Sequence, residues 1–288
     1  MDSAFAWRRY YRAERDRLGA SHLLDLVDAA APLELEAGGA VVIPHTRMEV
    51  TGHQIAAAVA TVLASRADRV LALGVLHGGR RSDHARVAAA RDGDMPAIAE
   101  LRGVHDDDDV AAEEFSLDGF VEMLRLAADR AGRDVDIVCR YPFLVGDDPA
   151  SLPGVEELER LVGDGAVLVA TTDPIHHGHA YGAAEAECLD ALETGTRSWA
   201  RAAVDEQLRA LSDHRFADFA GLVERDRSDF RDTGPVLAHL VGPGFLPDVR
   251  ALDFVDYTAA LDAPAPSWVA GALVTIRANG LDTDAGPV

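Results

Sequence analysis

Three short apolar runs, each followed closely by histidine, constrain this chain more than any other feature of its sequence. The runs cover residues 40–43, 70–76 and 166–172, and the first two are separated by a helical pattern over residues 52–66. A strand, a helix and a second strand at this spacing predict a β-α-β unit with neighbouring parallel strands. We therefore expect the ends of these strands to meet at one edge of a sheet, where open α/β sheets bind ligands.

The rest of the chain continues the alternation of helical and strand patterns. An amphipathic segment covers roughly residues 5–29, and residues 183–225 are mostly helical in pattern. Further strand candidates are residues 135–145, 249–257 and 269–277. No repeat or linker divides the chain, so we predict one α/β domain with a central, largely parallel or mixed sheet flanked by helices. It would span residues 1–288, with an N-terminal helical segment at 1–37 and a flexible tail at 278–288.

Composition excludes several classes of protein. Twenty-seven basic and 49 acidic residues give a formal net charge of −22, which opposes binding to nucleic acid or to anionic membranes. The N-terminus lacks the apolar core of a secretory signal, and no apolar run is long enough for a membrane span. Two cysteines do not make a disulfide framework. We expect a cytoplasmic protein with a small-molecule partner, and the sequence leaves a homo-oligomer open.

The histidines after the apolar runs are candidates for a metal site. Imidazole suits Fe, Zn, Cu and Ni, and two histidines with one carboxylate are typical of non-haem Fe(II) oxygenases. We expect His45 and His77 to bind the metal and His176 to lie beside it as a proton-transfer group. Residues 176 and 177 point to opposite sides of an extended segment, so His177 and His179 are candidates for the pocket rim or the surface. Spacing leaves the carboxylate open among four candidates: Asp229, Asp232, Asp256 and Asp262.

Five segments in a fixed order carry a family resemblance. They are HTRMEVTG (45–52), LGVLH (73–77), EFSLD (114–118), TTDPIHHG (171–178) and AGAL (270–273). They correspond to the motifs HAGYxYSG, LGPSH, EHSLE, SSDFSHYG and AGAL of the Memo family. The chain therefore resembles the Memo family, which is similar in fold to the class III (LigB-type) extradiol ring-cleavage dioxygenases. The resemblance extends over roughly residues 40–276.

The resemblance implies specific roles for these positions. It implies that His45 and His77 are metal ligands and that His176 acts as an acid–base group. The third ligand is a Glu in the dioxygenases and a Cys in some Memo proteins. Here Arg231 lies opposite that Cys in the simplest alignment, and we favour Asp232 over Asp229 as the replacement. Fe(II) is the expected metal, with Cu or Zn as alternatives.

The departures from the family motifs bear on the substrate. The first motif has lost its Ala-Gly-Tyr and gained Arg47 and Glu49 near the expected mouth of the site, and Phe115 replaces the histidine of the third motif. Arg47 could bind a substrate carboxylate through its planar guanidinium, or it could pair with Glu49 or another acid at the rim. Phe115 would make the pocket more apolar.

Three functions remain open from the sequence. The leading hypothesis is a non-haem Fe(II) oxygenase that uses dioxygen on a small catechol-like or other metal-chelating substrate. The alternative is a Memo-like protein that binds a metal or a partner without turnover. A zinc-type hydrolase is a third hypothesis, which activity without oxygen would favour.

Overall fold

The computed structural model describes residues 4–65, 67–77, 81–106 and 114–279. This part of the chain forms a mixed α/β domain around an eight-stranded sheet, as predicted. The strands are β1 (Ala40–Ile43), β2 (Arg69–Leu73), β3 (Gly103–His105), β4 (Asp136–Phe143), β5 (Val167–Thr171), β6 (Ile175–Gly178), β7 (Leu246–Asp256) and β8 (Ser267–Arg277). The helices are α1 (Ala4–Ala29), α2 (Met48–Ser65), α3 (Arg81–Arg91), α4 (Met95–Leu101), α5 (Asp118–Ala131), α6 (Val155–Gly163), α7 (Thr194–Ser212), α8 (Phe216–Asp226), α9 (Thr233–Val241) and α10 (Thr258–Leu261).

The sheet has a parallel centre and antiparallel margins. Its order is β3-β4-β2-β5-β1-β8-β6, and β7 pairs with β8. Strands β4, β2, β5 and β1 are parallel, whereas β8 runs antiparallel to β1, β6 and β7. The prediction that the first two strands are neighbours is wrong, because β5 lies between β1 and β2. Their carboxyl ends still meet at one edge, since all three strands point the same way.

Helices cover both faces of the parallel strands, which explains why those strands are apolar throughout. On one face α1, α2 and α5 contribute buried side chains such as Leu23, Ile55 and Phe120. On the other, α6 to α9 contribute Leu158 and Phe219 among others. This packing holds the strand ends in place on both sides of the sheet and so fixes the edge that carries the candidate site.

The boundaries differ from the predictions where tertiary contacts decide them. Within 183–225 the first α-helix begins only at Thr194, after a single 3₁₀ turn at Glu185–Glu187, and the sequence pattern did not predict β6. The predicted tail at 278–288 lies outside the described residues except for 278 and 279. Within the described ranges, no helix combines the length and the apolar character that a bilayer span requires.

Candidate metal centre

His45 lies directly beyond the end of β1 and is held from two directions. Its Nδ1 atom is 3.1 Å from the hydroxyl of Thr171, the last residue of β5. Its backbone N–H donates to Asp173 Oδ1 at 3.2 Å. The ring is almost fully buried, and its Nε2 atom faces the carboxylates of Asp173 and Asp229. The parallel pairing of β1 with β5 therefore places this imidazole at the sheet edge.

His77 lies beyond the end of β2, and Glu114 fixes its orientation. Glu114 Oε2 accepts the backbone N–H of His77 at 2.7 Å, and Oε1 lies 3.1 Å from His77 Nδ1. Because an ionised carboxylate only accepts hydrogen bonds, Nδ1 carries the proton, and the neutral ring presents an Nε2 lone pair. A carboxylate behind a histidine in this way is the usual partner of a metal-binding imidazole.

The charges around His77 shift its titration strongly. Burial acts to lower its pKa, but the charge of Glu114 and the contact with Asp229 outweigh burial and raise the pKa to about 10. Burial likewise acts to raise the pKa of Glu114, and His77 together with backbone N–H groups lowers it. The metal-free site thus retains a proton on His77 that a metal ion would displace.

Asp229 reaches the two histidines from a short 3₁₀ turn, Asp229–Arg231. Helix α8 ends at Asp226, the following Arg227 adopts a left-handed φ of 52°, and the Ser228 hydroxyl then accepts the N–H of Phe230 at 3.1 Å. The backbone N–H of Asp229 donates to the carbonyl of Asp173 at 3.2 Å. These contacts position the Asp229 carboxylate at the carboxyl edge of the sheet.

The three side chains fit a divalent metal ion. Asp229 Oδ2 lies 3.3 Å from His45 Nε2 and 3.7 Å from His77 Nε2, and one ligand atom from each residue lies within 4.8 Å of the others. Burial acts to raise the pKa of Asp229, but the neighbouring histidines lower it well below its ordinary value. Two imidazoles and one ionised carboxylate converging on one point form a suitable donor set for Fe(II), Zn or Cu.

Asp232, the carboxylate favoured from the sequence, does not reach this cluster. Its Oδ1 atom accepts the backbone N–H of Leu144 at 2.8 Å, and its Oδ2 atom pairs with Arg91. Asp256 is also engaged elsewhere, because it accepts the N–H of Thr258 at 2.8 Å. Asp229 faces the histidines instead because α8 ends at Asp226, and the 3₁₀ turn that follows presents residue 229 rather than 232. Sequence spacing could not show the direction of that turn.

His176 lies beside the triad. Its Nε2 atom is 3.4 Å from Asp229 Oδ2, and its Nδ1 atom is 2.8 Å from the carbonyl oxygen of Arg227. His176 lies within β6 and not at the end of β5. Because β6 is extended, the following His177 points to the other side.

His177 and His179 do not line the same pocket as the triad. His177 packs 4.8 Å from Trp268, its Nε2 accepts the N–H of Leu189 at 2.9 Å, and burial lowers its pKa. His179 Nε2 lies 3.5 Å from Glu185. His177 therefore has packing contacts in this structure, and His179 pairs with a surface acid.

Arg47 is likewise engaged outside the pocket. Its Nε donates to Glu14 at 3.1 Å, and its guanidinium contacts Glu49 at 2.5 Å. The structure therefore shows the ion-pair alternative for Arg47, and a substrate carboxylate would have to displace these acids.

The triad opens into a small pocket of about 120 Å³. Aromatic side chains form much of its wall: Trp7, Tyr11, Phe115, Tyr181 and Tyr257. The Phe115 ring stacks on His77 with centroids 4.5 Å apart. The hydroxyls of Tyr11 and Tyr257 lie 2.5 Å apart, and that of Tyr257 is 2.6 Å from Thr46 Oγ1. Sequence reasoning missed these tyrosines and Glu114, because no spacing relates them to the histidines.

Burial sets the protonation of the tyrosines. It raises the pKa values of Tyr11 and Tyr257 well above their ordinary value, and it also raises that of Tyr181, where Asp229 and Asp173 add to the effect. All three therefore keep their protons near neutral pH. The pocket wall offers neutral hydroxyl donors beside an acidic, histidine-rich floor.

Comparison with known proteins gives one partial similarity. No protein-family model matches the chain. A MEMO1 family protein of Thermococcus kodakarensis is 35% identical over 88 residues, which are 30% of this chain and 30% of that relative. The similarity supports a relationship to the MEMO1 family over that segment. The matched segment spans less than a third of either protein, and the relative's name specifies no reaction.

Proposed function

We propose that this chain is a Memo-family, metal-dependent protein, and that it acts as a non-haem Fe(II) oxygenase on a small catechol-like or other metal-chelating substrate. The observation that carries the proposal is the convergence of His45, His77 and Asp229 on the floor of an aromatic pocket. Two histidines and one carboxylate leave coordination positions free, as non-haem oxygenases require.

His45, His77 and Asp229 would hold the metal, and Glu114 would keep His77 in the tautomer that binds it. Bound Fe(II) would supply redox chemistry and adjacent positions for dioxygen and for the substrate oxygens. The ring of Phe115, stacked on His77, would limit the access of water to that side of the site. These residues would therefore orient the reacting groups and limit their contact with water.

His176 would handle the protons of the substrate. Its Nδ1–H is donated to the Arg227 carbonyl, so its Nε2 is the atom that can take a proton from a substrate hydroxyl. Tyr257, which remains protonated, would donate a hydrogen bond to a substrate oxygen. Tyr11 and Thr46 orient that hydroxyl through their short contacts with it.

The overall reaction of extradiol cleavage balances without a further reductant. One carbon–carbon bond of the ring, adjacent to the diol, breaks, and both atoms of dioxygen enter the product. The substrate loses four electrons, and dioxygen gains four. The proposal therefore requires only substrate, dioxygen and the metal.

One observation favours the alternative, a metal-binding protein without turnover. The pocket of about 120 Å³ is small beside the roughly 300–1,000 Å³ of typical ligand sites. A pocket of that size would suit a metal ion with a very small ligand. The two functions share the triad and differ in oxygen consumption.

Metal analysis of matched variants tests the proposal. Protein purified without oxygen and without a metal-affinity tag would be analysed by inductively coupled plasma mass spectrometry for wild type, His77→Ala, Asp229→Asn and Asp232→Asn. His53→Ala is the control, because His53 is an exposed histidine that pairs with Asp253 outside the pocket. We expect about one iron per chain in wild type, in Asp232→Asn and in the control, and its loss from the two triad variants.

Oxygen uptake with a panel of catechols then separates the two functions. Uptake by the iron-loaded wild type, lost in His77→Ala, supports the oxygenase. Bound iron with no uptake across the panel favours the binding protein. Full iron content in both triad variants would overturn the metal centre itself.

A further inference from the structure

A second set of possible ligands adjoins the first and shares one carboxylate with it. Asp173, His176 and Asp229 each present one ligand atom, and these three atoms lie within 4.8 Å of one another. His45 and His77 belong to the other set, so Asp229 stands between two triads. We call Asp173, His176 and Asp229 the second triad.

Hydrogen bonding aims the Nε2 atom of His176 at the shared carboxylate. The carbonyl of Arg227 can only accept, so the contact of 2.8 Å places a proton on His176 Nδ1. In the neutral ring, Nε2 then turns a lone pair toward Asp229 Oδ2 at 3.4 Å. Two acceptors at that distance repel unless a proton or a cation lies between them.

The backbone enforces this arrangement. Arg227 holds a left-handed φ of 52°, and its guanidinium donates to the carbonyl of Gly182 at 3.1 Å. These contacts keep its own carbonyl on His176. The carbonyl of Asp173 accepts the backbone N–H of Asp229, which ties the two acids together. The ligands are therefore held near one another by main-chain contacts that do not depend on an ion.

The Asp173 carboxylate is buried beside His45. Its Oδ1 accepts the N–H of His45 at 3.2 Å, and its Oδ2 is 3.6 Å from His45 Nε2. One of its oxygens lies within 4.8 Å of the ligand atoms of His176 and Asp229, so it is within reach of an ion that those two residues bind.

We propose that the second triad binds a second divalent cation, bridged to the first through Asp229. One imidazole and two carboxylates suit Zn²⁺ among the divalent ions. Two-metal sites place their ions about 3.5–4 Å apart around a shared ligand, which a carboxylate can bridge. The inference rests on the proposed function only in that both use Asp229. His176 Nε2 can bind either a proton or a metal ion. A second ion in this triad would therefore prevent His176 from transferring protons.

Zinc stoichiometry tests the second site directly. Metal-free full-length protein would be dialysed against Zn²⁺ and then counted by native mass spectrometry. Wild type and the control His53→Ala should bind two Zn²⁺ per chain. His176→Ala and the isosteric Asp173→Asn should each bind one, with at least a tenfold loss of affinity at the second step, and His77→Ala should keep one ion. Circular dichroism would establish that each variant is folded.

The outcomes separate this inference from the proposed function. A single Zn²⁺ in wild type, lost in His77→Ala and kept in His176→Ala, would overturn the second site and leave the first intact; His176 would then hold a proton. Two ions that persist in both His176→Ala and Asp173→Asn would place the second ion elsewhere and also overturn it. No zinc in wild type would remove both sites.

Discussion

Replacement of Glu114 by Gln tests whether the carboxylate behind His77 supports metal binding. Glu114 Oε1 accepts from His77 Nδ1, Phe115 N and Ser116 N at 3.1, 2.7 and 2.9 Å, and Oε2 accepts from His77 N at 2.7 Å. A glutamine keeps one acceptor oxygen and gains a donor, so it cannot accept all four bonds. The least costly placement keeps the oxygen at Oε1 and turns the amide toward the N–H of His77.

Two magnitudes follow from that placement. One buried N–H loses its acceptor, which lowers the free energy of unfolding by about 1–3 kcal/mol. The ring of His77 loses the negative charge behind it, and loss of such a partner weakens metal binding by about 10–100-fold. In free energy of metal binding this is about 1.4–2.8 kcal/mol. We therefore expect Glu114→Gln to lose both stability and metal affinity.

The stability difference between wild type and Glu114→Gln should depend on pH in metal-free protein. The pKa of His77 rises from 6.5 to about 10 on folding, so its stabilising effect is complete below pH 6.5 and disappears as the pH rises through 10. The pKa of Glu114 falls below its ordinary 4.5, so its stabilising effect is complete above that pH and disappears in more acidic solution. The difference should be largest between pH 4.5 and 6.5.

Competition with a chromogenic chelator would measure the metal Kd, and urea denaturation of metal-free protein would measure stability. Glu157→Gln is the matched control. Glu157 lies on α6, its carboxylate is 2.7 Å from the Arg140 guanidinium, and it does not line the pocket. A wild-type Kd in Glu114→Gln, together with lowered stability, would refute the reasoning and make Glu114 a support for the loop only.

Three other substitutions have definite expected outcomes. Asp232→Asn breaks the buried pair with Arg91, so we expect urea denaturation to show a free energy of unfolding lower by about 3–5 kcal/mol, with metal content unchanged. Reduced iron content at full stability would contradict the assignment of the third ligand to Asp229. Phe120→Ala removes the ring of a fully buried residue of α5 and should lower the free energy of unfolding by about 3–5 kcal/mol in the same assay. Gly178 has a φ of 100°, and a Cβ there would lie 1.9 Å from the carbonyl oxygen of Pro266. Gly178→Ala should therefore lower the melting temperature by several degrees, equivalent to more than about 1 kcal/mol, and an unchanged melting temperature would argue against the strain.

Apolar periodicity predicted the centre of the fold because burial on both faces leaves an unmistakable pattern. The strands β1, β2 and β5 are buried almost throughout, and their sequences are apolar without alternation. The pattern could not predict that β5 lies between β1 and β2, since strand order depends on where each crossover helix packs. Strand β6 escaped prediction because its four residues include two histidines and a glycine, and its pairing with β8 determines its conformation.

The sequence placed at the candidate site only those residues that follow predicted strands. His45 lies two residues beyond β1 and His77 four residues beyond β2, so the direction of the parallel strands allowed the sequence to place them at one edge. Asp229 comes from a turn after α8, and its neighbour Asp232 has the same chemistry within three residues. The left-handed Arg227 after α8 and the hydrogen bond from Asp229 N to Asp173 O turn Asp229 toward the histidines, whereas Asp232 is held by Leu144 N and Arg91. A contact made by a turn leaves no periodic signal in the sequence.

The hydrogen bonds behind the imidazoles give the strongest argument for a bound cation. Glu114 accepts a hydrogen bond from His77 Nδ1, and the Arg227 carbonyl accepts one from His176 Nδ1, so the Nε2 atoms of both rings face the same oxygen of Asp229. His45 Nε2 approaches that oxygen as well. Three Nε2 atoms lie 3.3 to 3.7 Å from this one carboxylate oxygen, and such a cluster is stabilised by positive charge among its members. Protons can supply that charge one ring at a time, but a divalent ion neutralises several donors at once without disturbing the Nδ1 bonds. The Nδ1 hydrogen bonds therefore hold the His77 and His176 rings in orientations that leave their Nε2 atoms facing a common metal position.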